Sequence, residues 1–220
     1  MRAHLSLISV CCVAAITHPA LAVIVDRAAV AVGTKVITES EIVRRIRLAA
    51  FQNGEPPDFS AASRREAAQR LVDLKLVERE MDLGRYERTP HARAAELLAA
   101  FTAEHFRSGA DALRLALAAI DLTPADLQAE LAEQADLLSF TNLRFGPAVE
   151  VSDQEIEEYF QNHIQSANAS KSAGNPVALA DVRGNIEHIL ANERADLDLD
   201  AWLQDQRKRT RIVYLVKELQ

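Results

Sequence analysis

Residues 30–41 read VAVGTKVITESE, and this stretch predicts two short β-strands that meet at a tight turn and lead into a helix. The β-branched residues on either side of Gly33 favour the extended conformation, while glycine supplies the backbone freedom that a tight turn needs. An isolated hairpin is only marginally stable in water, so it needs a third strand or a helix to pack against. The run RIVYLV at residues 211–216 is the candidate third strand. We therefore expect the two ends of the chain to pair.

The chain between these β-like runs has the pattern of successive capped helices. Thr38 and Glu41 have the spacing of a capping box, in which each side chain binds the backbone N–H of the other residue. Further helix starts are predicted at Ser63 with Glu66, Thr89-Pro90, Ser108 with Asp111, Thr123-Pro124 and Ser152 with Glu155. Apolar residues follow at helical spacing, and the predicted buried side of the helix after Thr123-Pro124 is formed by Leu127, Leu131, Leu138 and Phe145. The predicted fold class is mainly α, with a small antiparallel β-sheet formed by the N-terminal hairpin and the C-terminal strand.

Residues 1–22 have the composition of a secretory signal peptide. Arg2 precedes an apolar run at residues 5–16, and residues 19–22 (PALA) end in the small-x-small pattern of a cleavage site. We predict cleavage after Ala22 and a periplasmic location. The apolar run is too short to span a bilayer, so no integral membrane segment is expected once the signal peptide is removed.

Both cysteines, Cys11 and Cys12, lie in the predicted signal peptide, so the mature chain is expected to depend on packing rather than disulfides. The chain has 25 Lys and Arg against 32 Asp and Glu. Cleavage removes one Arg and no acid, which gives a mature charge of 24 − 32 = −8. This acidity argues against nucleic acid as a partner, because phosphates attract basic surfaces.

The sequence contains no recognisable catalytic or metal-binding motif. It has no Gly-rich phosphate loop, no nucleophile elbow and no zinc-protease motif. The Glu-His pairs at residues 104–105 and 187–188 are adjacent, and neighbours on a helix point about 100° apart, so neither pair converges on a metal. We therefore predict no catalytic residue, no cofactor and no use of ATP.

Several stretches together resemble the SurA-type periplasmic chaperones. They are DRAAVAV at 26–32 with VITESE at 36–41, LVDLKL at 71–76, VSDQEIEEYF at 151–160, and AWLQDQR at 201–207 with VYL at 213–215. The resemblance implies an N-terminal helical chaperone region at residues 23–164. It also implies that residues 177–220 supply a C-terminal helix and strand that complete the same core domain.

One segment departs from the pattern of that family. Full-length relatives carry one or two parvulin-type prolyl isomerase domains between the corresponding helices, whereas this chain has only residues 165–176 there. Their Ser, Ala, Asn, Lys and Gly composition is typical of a flexible linker. Domains seldom have fewer than ~50 residues, so no isomerase domain fits in this place. The resemblance thus implies a chaperone core without isomerase activity.

The function implied by the resemblance is the holding of unfolded or outer-membrane-bound polypeptides without ATP, with a homodimer as one expected assembly. Large aromatic side chains offer contact area at low entropic cost and are the candidate peptide-binding residues. They are Phe101, Phe106, Phe140, Phe145, Tyr159, Phe160 and Trp202. The alternative for each is packing in the hydrophobic core. Two other functions stay open: an adaptor that binds one folded envelope partner, and a prolyl isomerase with an unrecognised site.

Overall fold

The structure is a computed structural model that describes residues 26–165 and 178–220. The predicted signal peptide, with both cysteines, lies outside the described residues. So do residues 166–176 of the predicted linker.

The described chain is mainly helical, with three short strands near its two ends. The strands are β1 (Ala28–Val32), β2 (Lys35–Thr38) and β3 (Ile212–Tyr214). The α-helices are α1 (Glu39–Asn53), α2 (Ala61–Gly84), α3 (His91–His105), α4 (Ala110–Ala118), α5 (Pro124–Arg144), α6 (Asp153–Tyr159) and α7 (Leu179–Arg209). A π-helical turn (Phe160–Gln165) continues α6, and single 3₁₀ turns occupy Gly146–Ala148 and Lys217–Leu219. The predicted fold class is confirmed.

The three strands form one antiparallel sheet in the order β2-β1-β3. Val30 of β1 lies between Ile37 of β2 and Tyr214 of β3, so the first strand is central and the last one completes the sheet. Gly33 turns the hairpin with φ of +59°, a left-handed conformation that favours glycine. Its backbone N–H also donates to the carbonyl of Arg211 at 2.9 Å, which ties the turn to the chain before β3. The predicted pairing of the two ends is confirmed.

The sheet is covered on one side by α2 and by the C-terminal turn. Val30 and Ile37 have no exposed surface, and they pack in one cluster with Leu71 of α2. Val216 and Leu219, which follow β3, are 5% and 6% exposed in the same cluster. The last residues of the chain therefore belong to the core on which the first hairpin lies.

Three capping boxes are present among the described residues: those at Thr38 and Ser152 are as predicted, and the third forms at the predicted helix start Thr123-Pro124. The hydroxyls of Thr38, Thr123 and Ser152 each accept a hydrogen bond from the backbone N–H three residues later. In return, the carboxylates of Glu41, Asp126 and Glu155 accept from the backbone N–H of the capping residues. Each box satisfies two donors that the first helical turn leaves without partners, so α1, α5 and α6 start where the sequence indicates.

The prediction that Ser63 caps α2 is wrong, because the helix begins three residues earlier. Ser60 is the capping residue, and its hydroxyl accepts from the backbone N–H of Ser63 at 3.3 Å. Asp58 in turn accepts from the backbone N–H of Ser60 at 2.9 Å. The Asp58 carboxylate thus fixes an earlier cap than the Ser63-Glu66 spacing suggested.

The capping positions of α3 and α4 each lie one residue after the predicted ones. Pro90 is the capping residue of α3. Thr89 lies outside the helix, and its backbone N–H donates to the carboxylate of Asp136 at 2.6 Å. Gly109, rather than Ser108, precedes α4 and has φ of +77°. The Thr89 contact joins residues far apart in sequence, so local spacing gives no sign of it.

The assignment of Leu138 to the buried side of α5 is also wrong, since 60% of this side chain is exposed. Leu127, near the start of the helix, is fully buried as predicted. Farther along, the buried side is formed by Phe140 and Thr141, which are 0% and 3% exposed. The buried stripe changes side because the second half of α5 packs against α2 and α7, whereas the first half packs against α3 and α4.

The last helix, α7, runs past α6, α5 and α2 before the chain enters β3. Its basic end, Arg207 to Arg209, lies where cations complement the helix dipole. None of the helices within 26–165 and 178–220 combines the length and the apolar character needed to cross a membrane.

Candidate functional site

A cavity of about 400 Å³ opens between α1, α2, α5 and α7. Its volume lies in the range of ~300–1,000 Å³ that is typical of ligand pockets. Six aliphatic side chains form its apolar lining: Ala49, Leu74, Val77, Leu137, Leu199 and Leu203. We call this cavity the groove. It takes one wall from each of four helices that are distant in sequence.

The apolar lining of the groove follows from helical spacing on two of these helices. Leu74 and Val77 are three residues apart on α2, and Leu199 and Leu203 are four apart on α7, so each pair lies on one helical face. Val77 is 2% exposed and forms the buried part of the lining, whereas the leucines are partly exposed. The structure thus leaves a strip of aliphatic surface accessible to solvent between packed helices.

Amide side chains form part of the rim of the groove. Gln52 of α1 and Gln134 of α5 exchange hydrogen bonds at 3.1 and 3.4 Å, and Asn53 lines the same edge. Each amide group carries both donors and acceptors. Such a rim can bind the backbone N–H and C=O groups of an extended chain whatever its side chains are.

An ion-pair cluster holds the α1 and α5 walls together. Arg45 donates to Glu130 at 2.5 Å and to Glu133 at 2.6 Å. Glu130 is 6% exposed, and burial raises the pKa of its carboxyl group, with repulsion from Glu133 adding to the effect and Arg45 opposing it. The ionised form of Glu130 therefore lowers the stability of the folded protein.

A second ion pair joins the α2 and α7 walls. Arg207 binds both carboxylate oxygens of Asp73, at 2.6 and 2.5 Å, in the bidentate geometry that suits a guanidinium. Burial nevertheless raises the pKa of Asp73, and the charge of Asp200 adds to this, against the attraction of Arg207. Asp200 is exposed at the groove and has no ion pair within the part of the chain that the structure describes.

The groove offers apolar contact, backbone hydrogen bonding and negative charge, which together suit the binding of a polypeptide segment. Its lining residues include no Ser, Cys, His or Tyr that would act as a nucleophile. Within residues 26–165 and 178–220, no three or more His, Cys, Asp or Glu side chains are grouped so as to hold a metal ion.

The candidate aromatic residues lie in three separate clusters, and none of these aromatic side chains lines the groove. Phe101 and Phe106 pack around Phe51, whose ring stacks on Phe106 with centroids 5.9 Å apart. Tyr159 and Phe160 lie in the cluster between α6 and α7, where Phe160 is 6% exposed and Tyr159 stacks on a histidine.

The third cluster is the aromatic contact that holds α7 to the helical body. Phe140 is fully buried, and its ring centroid lies 5.5 Å from Trp202 and 6.1 Å from Phe145. The guanidinium of Arg144 lies over the Trp202 ring at 5.5 Å. This packing matches the core alternative for Phe140 and Trp202. A peptide-binding role for the partly exposed aromatic residues stays a prediction.

The groove residues were not identified from the sequence, although two of them carried a signal. Asp73 interrupts the apolar run 71–76 of a core helix, and Glu130 falls on the buried side of α5 beside Leu127 and Leu131. A carboxylate at such a position needs a partner, because burying an unpaired charge is costly. Both residues therefore needed a cationic partner on another helix, and these partners are Arg207 for Asp73 and Arg45 for Glu130.

The sequence matches no known protein-family model, and it has no match among curated proteins.

Proposed function

We propose that this protein is an ATP-independent periplasmic chaperone that holds unfolded or outer-membrane-bound polypeptides. The observation that carries the proposal is the open groove, whose aliphatic lining stays accessible between four packed helices. Exposed apolar surface of this kind is typical of sites that bind other chains. Holding lowers the free concentration of aggregation-prone chains and requires no nucleotide, since mass action alone shifts the equilibrium.

The chemistry of the groove supports binding of clients with varied sequences. Aliphatic contact is non-directional, so it accepts many side chains. The amide rim at Gln52 and Gln134 offers donors and acceptors that suit any peptide backbone. A cavity of about 400 Å³ holds only a short section of a client, so binding is expected to be reversible and local.

The location and the lack of isomerase activity rest on the sequence. The periplasmic location rests on the predicted signal peptide at residues 1–22. The absence of isomerase activity rests on the resemblance to SurA-type chaperones and on the short segment where their isomerase domains lie. A protease-coupled prolyl-peptide assay that detected catalysis would contradict this part of the proposal.

The proposal is tested by aggregation of a denatured outer-membrane protein diluted into buffer without nucleotide. We expect stoichiometric amounts of the protein to suppress light scattering. The variant Leu199→Ser, which changes the groove lining, should suppress it several-fold less well. The control Leu138→Ser alters a leucine that is 60% exposed outside the groove and should behave like the wild type. Absence of suppression, or equal effects of the two variants, would rule out holding by the groove.

A further inference from the structure

The groove carries an excess of negative charge. Four carboxylates line it, Asp73, Glu130, Glu133 and Asp200, against two arginines, Arg45 and Arg70. Arg45 forms ion pairs with both Glu130 and Glu133, so that wall has two carboxylates and only one cation. Arg70 donates to Glu66 at 2.7 Å along its own helix. The lining therefore has a net charge of −2, with no guanidinium directed at Asp200.

Part of the excess charge lies where α2 and α7 face each other, at Asp200, because Arg207 pairs with Asp73. Asp73 and Asp200 lie on opposite walls, and they are close enough for the charge of Asp200 to raise the pKa of Asp73. Arg207 binds Asp73, and within the described part of the chain it forms no ion pair with Asp200, so the repulsion between the two carboxylates is only partly compensated. A further cation beside Asp200 would relieve that repulsion.

Aliphatic surface lies directly beside these two carboxylates. Leu74 of α2 and Leu199 of α7 line the same cavity as the two carboxylates, so each of these walls contributes both a leucine and an acid to the groove. A lysine or arginine side chain matches this combination, because its aliphatic stem packs on apolar surface while its charged end stays in a polar place. A small inorganic cation would leave the leucines uncovered.

We propose that the groove selects extended polypeptide segments in which a lysine or arginine is flanked by aliphatic residues. The cationic end group lies between Asp73 and Asp200, and the flanking side chains cover Leu74, Leu199 and Leu203. This inference rests on the proposed function, since it names the class of segment that the chaperone groove takes. Segments rich in Asp or Glu are rejected, because like charges face each other across the contact.

The test is binding of three labelled peptides that differ at one central position within a Leu- and Val-rich segment, measured by fluorescence anisotropy. The central residue is Lys, Gln or Glu. The Lys peptide should bind the intact chain roughly fivefold more tightly than the Gln peptide, since a solvent-exposed ion pair contributes up to about that factor. The Glu peptide should bind most weakly. At ~1 M salt the preference should largely disappear, because the charges are then screened.

Two variants place the preference in the groove. Asp200→Asn should reduce the ratio of the Lys-peptide affinity to the Gln-peptide affinity to near one. Asp196→Asn, a matched change at an exposed aspartate of α7 that does not line the groove, should keep the full preference.

The outcomes separate the two proposals. Equal binding of all three peptides, with aggregation still suppressed, would overturn the charge selectivity and leave the chaperone function intact. A Lys preference that persists in Asp200→Asn would overturn it as well, because the cation would then bind elsewhere. Absence of both peptide binding and aggregation suppression would overturn the selectivity together with the function on which it rests.

Discussion

The two faces of α2 differ in how completely they are covered. On one face, Ala68, Leu71 and Val72 pack against the sheet and are 0–5% exposed. On the other side, Asp73 and Leu74 line the groove and remain partly accessible, and Leu74 also packs against the edge of the sheet cluster. The same helix thus supplies a closed apolar core on one side and an open, charged surface on the other.

This difference separates the side of α2 that stabilises the fold from the side that we propose for binding. The sheet side excludes water and carries no buried charge, so each of its contacts favours folding. The groove side keeps carboxylates whose pKa values are raised by burial, which means that their ionised forms oppose folding. A carboxyl group with a perturbed pKa in an open cleft is a candidate for a binding role, and we propose that role for the groove side.

The largest expected effect is the loss of stability when the residues after Arg209, which complete the covered side, are deleted. Such a truncation removes β3 together with Val216 and Leu219, which are 5% and 6% exposed. Each buried side chain of this kind stabilises by about 1.5–3 kcal/mol, so a loss of at least ~3 kcal/mol is expected. For a chain of this size, the melting temperature measured by circular dichroism should fall by roughly 6–12 °C or more.

A control variant distinguishes the loss of buried side chains from a change at an exposed position of the same segment. Leu215→Ser alters a side chain that is 50% exposed between β3 and the C-terminal turn, and it should leave the melting temperature nearly unchanged. If the truncated protein melted at the same temperature as the intact one, the two ends of the chain would not pair in solution.

A smaller effect distinguishes the two faces of α2 directly. Leu76→Ala, on the sheet side, removes a side chain that is 3% exposed and should cost about 2–5 kcal/mol. Leu74→Ala, in the groove, removes a partly exposed side chain and should cost about 1–2 kcal/mol, because water already reaches it. Urea unfolding gives both values.

Client binding should be weakened more by Leu74→Ala than by Leu76→Ala, which is the reverse of the order expected for stability. Leu74→Ala should weaken binding of an unfolded client several-fold, whereas Leu76→Ala should leave it unchanged under conditions where the variant is folded. Equal losses of binding in the two variants would mean that the groove face has no special role.

The covered face and the helix caps were largely predictable from the sequence, while the groove was not. Thr38 and Ser152 bind partners three residues away, and Thr123 is followed by a proline, so local sequence was sufficient to find these helix starts. The pairing of β1 with β3 followed from two β-like runs that each lacked a partner. The groove, by contrast, depends on how four helices sit side by side, and contacts such as that between Arg45 and Glu130 span 85 residues. Local spacing also gave the wrong helix cap at Thr89, whose backbone N–H binds a residue far away in sequence.

The smallest expected effect is a pH dependence that differs in sign between two carboxyl groups of α5. Asp126 belongs to a capping box, and the Thr123 hydroxyl that donates to it lowers its pKa. Its contribution to stability is therefore present above its ordinary pKa of 3.8 and is lost as the pH falls through the lower folded value. Glu130 lies in the groove wall with a raised pKa, so its ionised form opposes folding at neutral pH.

This cost at Glu130 disappears as the pH falls through the raised folded value, and the change is complete below the ordinary pKa of 4.5. The difference in unfolding free energy between wild type and Glu130→Gln should thus shift in favour of the wild type as the pH falls from neutrality. The same difference for Asp126→Asn should stay constant over that range and shift against the wild type only in stronger acid. Urea unfolding at a series of pH values measures both. Parallel curves for the two variants would contradict the contrast, because they would place the groove carboxylate in surroundings like those of a helix cap.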